Sequence, residues 1–157
     1  MTVTATPVAK VTLGPREQQV LERLADGDTL ALVARELRIR ESTASGYLKV
    51  AKHKLHGTNE TAAAVAVGYA IEAISRPPLL DPETLFLPRE QRDIVPLVAQ
   101  GMAAWQMAAE LGRPINDVRA DGRRLLVSLR AHNRAHLISR AWQFQVLTAG
   151  QVMAWLS

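Results

Sequence analysis

Between Arg38 and His56 the sequence sets out two rows of side chains at helical spacing. Ser45, Lys49, Lys52 and His56 recur four, three and four residues apart, so a helix would align them as one face of small polar and cationic groups. Such a face can lie against phosphates; the alternative is a solvated flank of a surface helix. No set of residues suited to covalent chemistry stands beside it. The chain has no cysteine, hence no thiol nucleophile, disulfide or thiolate metal site. It also lacks a phosphate-cradling G-x-x-x-x-G-K-[ST] and a Ser-His-Asp or paired-carboxylate arrangement, so an enzyme is not expected. His132 and His136 could share a helix face, but no H-E-x-x-H pattern accompanies them, and neither a metal nor a cofactor is expected.

The charge supports a polyanion partner. Of the formal net charge of +4, Arg38 to His56 carries five Arg or Lys against one Glu, and Arg113 to Arg134 carries six Arg against two Asp. The rest of the chain is therefore net acidic, and the positive charge is concentrated in two stretches.

The basic face needs a helix, and the helix needs a core to rest on. Ala44, Leu48, Ala51 and Leu55 supply its buried stripe. Just upstream, Leu30 to Leu37 is a second short amphipathic segment that buries Val33, Ala34 and Leu37. Only Arg38, Ile39 and Arg40 separate the two, which predicts an angled helix pair with Ile39 at the corner and the second helix free to enter a major groove. Before the pair, Leu13-Gly14-Pro15-Arg16-Glu17 reads as a helix start and Asp26-Gly27-Asp28 as its end. After it, Asn59 is placed to cap a fourth helix from Glu60 to Ile74. That helix is apolar on more sides than one small domain can cover. Ala63, Ala66, Val67 and Ala70 are expected at a dimer or partner interface, the alternative being that the helix packs on the second half of the same chain.

Pro77, Pro78 and Pro82 forbid helix continuation and mark a stiff boundary. Beyond it the first half is repeated. Pro88-Arg89-Glu90-Gln91 repeats Pro15-Arg16-Glu17-Gln18, and after an insertion near Pro96 the match resumes at an offset of 74: Val98-Ala99-Gln100-Gly101 on Leu24-Ala25-Asp26-Gly27, Met107-Ala108 on Val33-Ala34, Leu129 on Leu55 and Asn133 on Asn59. The expected fold is all-α: a flexible arm over 1–12, a four-helix helix-turn-helix unit over 13–75, a Pro-rich linker over 76–86, and a second, degenerate unit over 87–157.

The stretches L-G-P-R-E-Q-Q-V-L-E-R-L-A-D-G, V-A-R-E-L-R-I, E-S-T-A and K-L-H-G-T-N-E-T together resemble the LuxR/NarL-type (GerE-like) helix-turn-helix family of bacterial transcription regulators. The resemblance covers about Leu13 to Ile74 and, more weakly, Leu87 to Leu147. It implies four-helix units in which the third helix reads the major groove and the fourth often dimerises. By position, it implies base reading at Ser45, Gly46 and Lys49, with Thr43, Lys52 and Lys54 set for phosphates. Arg40 stands where the family usually has a capping hydroxyl, which leaves Ser42 to cap a shorter helix, and base readout is expected to lean on Lys49 and Tyr47.

The second unit departs further. Arg113 replaces the corner residue Ile39, Pro114 opens the helix, and Gly122 stands in the buried position of Leu48, removing a side chain worth about 2 to 3 kcal/mol of burial. Arg119, Arg123 and Arg130 are expected on its groove-facing side with Arg124 as a further donor. Either this unit is a second DNA reader, or it is retained for packing and dimerisation. The apolar tail, with Trp142 and Trp155, is expected in the core or at a subunit interface, an effector pocket beside Trp105 or Trp142 being the alternative.

These features point to a sequence-specific regulator bound to double-stranded DNA as a cytoplasmic, nucleoid-associated homodimer. The alternative is an interaction module that binds RNA polymerase or another regulator without reading DNA. No span suits a membrane. The residues ahead of Leu13 are too few for a receiver or signal-binding domain, so control is expected to act through expression level, a partner, or a ligand between the units.

Overall fold

A computed structural model describes residues 11–157, and among these it is all-helical, with no strand. The first half contains α1 (Pro15–Ala25), α2 (Leu30–Leu37), α3 (Glu41–Lys54) and α4 (Thr61–Ala70). A strap with one 3-10 turn, Pro82–Thr84, leads to α5 (Arg89–Arg92), α6 (Val95–Ala99), α7 (Ala104–Leu111), α8 (Ile115–Leu129), α9 (Arg134–Gln143) and α10 (Ala149–Leu156). No described helix is long and apolar enough to cross a membrane. Most of the arm expected over 1–12 lies outside the described residues; Val11, however, already packs against the core.

Local chemistry sets the helix ends. Pro15 opens α1, and the Glu17 carboxylate accepts from the Gly14 N–H at 3.0 Å. Thr29 Oγ1 accepts from the Leu32 N–H at 3.2 Å to start α2. Arg38 ends α2 in the left-handed conformation, at φ 57°. Its counterpart at the end of α7 is Gly112, at φ 62°, so the same turn is made there without a side-chain penalty. In the second half Pro96 interrupts what is one helix of 11 residues in the first, giving the short α5 and α6.

The fourth helix corrects two expectations. It begins after Glu60, not on an Asn59 cap, and it stops at Ala70. Ile71 to Ile74 fold back over its end, where the Ala73 N–H donates to the Gly68 carbonyl at 2.8 Å. The absence of a side chain at Gly68 makes this possible: a Cβ there would stand 2.9 Å from Ile74 Cγ1.

The second correction concerns its surface. Every residue from Ala62 to Ala70 is buried, because α9 and α10 lie along α4, and α1 and α6 close the remaining sides. Ala63, Ala66, Val67 and Ala70 keep only 5%, 0%, 4% and 7% exposure. Trp142 is buried with its ring 5.4 Å from that of Tyr69, and Trp155 is half-buried against the same core. The face expected to receive a second subunit is covered by the second half of the chain, and one hydrophobic core runs through both halves. A smaller cluster of Val20, Leu24 and Val33 holds α2 to α1 and α3.

The contacts between halves are reciprocal. α1 packs on α9, and α6, at the matching place, packs on α4. The turn glycines behave alike: Gly27, at φ 97°, lies against His132 and His136 at the start of α9, and Gly101, at φ 81°, lies against Glu60 and Ala63 at the start of α4. Asn133 Nδ2 donates to the Gly27 carbonyl at 3.3 Å, and the Tyr69 hydroxyl donates to Ser139 Oγ at 3.1 Å inside the interface. Burial of that phenol pushes its pKa up to about 12. The strap is fixed along α9, with the Leu80 N–H donating to the Gln143 carbonyl at 2.7 Å and the Arg76 guanidinium 5.2 Å from the Trp142 ring centroid.

Two consequences are measurable. Gly68→Ala forces Ile74 out of place and is expected to cost about 1 to 3 kcal/mol of unfolding free energy in urea titrations. Burial, followed by the charges of His132 and Arg140, holds the His136 imidazole below its ordinary pKa of 6.5. The unfolded chain then takes up a proton that the folded chain refuses, so stability falls as pH drops from about 7 toward 5. Urea unfolding at a series of pH values is expected to show a shallower fall for His136→Gln over that range.

Candidate nucleic-acid interface

α3 is held by one face and free on the other. Ala44, Ala51 and the cap residue Leu55 have no exposed surface, and Leu48 packs partly into both clusters. On the opposite side Thr43, Ser45, Gly46 and Lys49 are exposed together, and a Cβ at Gly46 would meet nothing within 4 Å. The helix begins at Glu41, after Arg40, which makes no side-chain cap. Ser42 therefore lies inside the helix, exposed, and does not shorten it by capping. Glu41 in the first turn, and Lys52 and Lys54 in the last, match the polarity of the helix dipole.

Lys52 is half-buried and closes a notch of about 340 Å³ between α3 and the turn before α4. Ser45, Lys49, Lys52, His53 and Thr58 line it, with no carboxylate among them. The Thr58 N–H and hydroxyl both donate to the Lys52 carbonyl, at 3.1 and 3.4 Å, and hold that turn against the helix end. Hydroxyl and cationic groups thus converge where a phosphate could be bound.

Two expected contact residues are placed otherwise. Lys54 Nζ donates to Glu17 Oε1 at 2.8 Å, tying α3 to the start of α1. The Lys54 bond, then the Gly14 N–H, holds the Glu17 carboxyl below its ordinary range. Tyr47 is half-buried against the Val20, Leu24 and Val33 cluster; its ring helps to fix the angle between α2 and α3. Arg38 and Arg40, of which the sequence reading singled out only Arg40, for standing where the resemblance implies a capping hydroxyl, are exposed at the N-terminal end of α3 and have no ion-pair partner among the described residues.

On α8 the arginines do not act as one row. Arg124 Nη1 lies 3.1 Å from Asp121 Oδ1, and Arg113 closes on the other carboxylate oxygen. Arg113, then Arg124 against some opposition from burial, keeps the Asp121 carboxyl below its ordinary range. This clamp replaces the corner made by Ile39 in the first half. Arg130 ends the helix in the left-handed conformation, at φ 53°. Arg119 and Arg123 remain exposed, one turn apart, without an ion-pair partner among the described residues.

Residues 11–67 match the GerE family model, described as bacterial regulatory proteins, luxR family. This stretch is similar to the luxR-type helix-turn-helix domain. It takes in α1, α2, α3 and most of α4, and it supports a DNA-binding transcription regulator with α3 as the exposed second helix of the angled pair. No curated protein and no solved structure matches the chain.

Because Gly46 has open space around its Cβ position inside a helix, Gly46→Ala is expected to raise unfolding free energy by about 0.5 to 1 kcal/mol. A loss of stability in thermal or urea unfolding would mean that the exposed face of α3 is packed in solution.

Proposed function

We propose that this chain regulates transcription by binding double-stranded DNA in the cytoplasm, with α3 docked in the major groove. The observation that carries this reading is the exposed row of Thr43, Ser45, Gly46 and Lys49, continued by Lys52 into the notch, on the second helix of a luxR-type pair. Ser45, Gly46 and Lys49 face base edges, while Thr43, Lys52 and the two corner arginines, Arg38 and Arg40, take phosphates. Lys54 and Tyr47 act indirectly, by setting the pose of α3.

The second half is a degenerate copy of the first. The reciprocal packing of α1 on α9 and α6 on α4, together with the matched glycines Gly27 and Gly101, supports common ancestry more than chance similarity. Its role is to cover α4. With that surface occupied internally, the chain works as a monomer, and neither a second subunit nor a partner protein is needed on α4.

Selection of genomic fragments by the purified chain at near-physiological salt, followed by footprinting, tests the reading. A discrete motif is expected; recovery of none, with weak binding that vanishes as salt rises, would refute it. Lys49→Ala and Lys52→Ala are both expected to weaken binding, and Lys52→Ala, which removes a phosphate contact, is expected to make the fall of log affinity with log salt shallower by about 0.9. Unchanged affinity for both variants and an unchanged slope for Lys52→Ala would remove these residues from the interface.

A further inference from the structure

The notch beside α3 has a counterpart beside α8, and the two differ in their floors. In the first half Leu48 closes the floor below Ser45, Lys49 and Lys52. At the offset of 74, the corresponding positions are Gly122 for the floor and Arg119, Arg123 and Leu126 for the walls. A Cβ at Gly122 would meet nothing within 4 Å. With glycine in place of the leucine, the cavity here, of about 280 Å³, is lined by Ile94, Val98, Met107, Val118, Leu125 and Leu137, all members of the buried core.

The rim has the opposite chemistry. Arg119 and Arg123 project from α8, and Arg134 reaches in from α9, where its Nη1 donates to the Met102 carbonyl at 2.9 Å and leaves its remaining N–H groups unused by that bond. No carboxylate lines the cavity. Asp121, adjacent to Gly122 in sequence, is turned to Arg113 and Arg124. An apolar cavity under guanidinium groups that lack an acid partner among the described residues calls for a ligand with a hydrocarbon body and one anionic end. A guanidinium fork matches a carboxylate in shape and charge. A cavity of about 150 Å³ admits benzene, so this one has room for a ring or a chain of several carbons. A DNA phosphate could meet the arginines, but it would leave the apolar lining uncovered.

We propose that this cavity binds a small amphipathic monocarboxylate, with its hydrocarbon part against Met107 and Leu125 and its carboxylate on Arg119 and Arg123. The site shares no residue with the α3 face, so its failure and the failure of the DNA-binding reading are separate events. The test is titration of octanoate into the full chain with methyl-labelled methionine, followed by NMR. A saturable shift of the Met107 methyl is expected, with 1-octanol binding at least tenfold more weakly. Arg119→Ala combined with Arg123→Ala is expected to weaken octanoate at least tenfold while leaving 1-octanol unchanged. Gly122→Leu, which rebuilds the floor of the first half, is expected to abolish binding of both in a protein that remains folded by circular dichroism. Absence of a saturable Met107 shift, 1-octanol binding as tightly as octanoate, or undiminished binding to the folded Gly122→Leu protein would each overturn the proposal.

Discussion

The burial of α4 is the constraint on which the rest of the structure depends. A helix whose residues from Ala62 to Ala70 are all apolar or small has no face to give to water, and three preceding helices cannot surround it. Its alanines allow close approach of a neighbour, and α9 takes that place with Ile138 and Ala141 fully buried in the same core. Tyr69 and Ser139 hydrogen-bond to each other within this apolar contact, so neither is left unsatisfied. The halves are therefore parts of one folded body.

This division of labour leaves α3 and α8 with different outward faces. α3 keeps a basic face because its pose is fixed from behind by Ala44, Ala51 and Leu55 and from the end by the Lys54 to Glu17 pair. α8 keeps the buried stripe of Val118, Leu125 and Leu129, which carries α9. Its outward side differs from that of α3, with an Asp121 clamp at the corner and Gly122 where α3 carries Leu48.

Much of the fold was legible in the sequence. The span of α2, the buried stripe of α3, and the glycine-marked end of α1 follow from periodicity and caps, which are local properties. What could not be read was the pairing of distant surfaces. The apolar excess of α4 was visible, but whether a second molecule or α9 covers it depends on how the strap routes the chain. The early end of α4 at Ala70 was hidden for the same reason, since Ile74 packing on Gly68 overrides the helical pattern that continues to Ile74. In the candidate site, spacing found the exposed row on α3 but could not show that Lys54 bends back to Glu17. It also missed that the loss of Leu48's equivalent at Gly122 leaves a cavity, not a collapsed core.

Native-state amide hydrogen exchange at low denaturant shows whether α4 and α9 stand or fall together. The slowest amides of both helices are expected to exchange through one opening, with the same free energy and the same dependence on denaturant. If α9 exchanged through a smaller opening while α4 kept its protection, the second half would be a detachable appendage, and the covering of α4 would not hold the fold together.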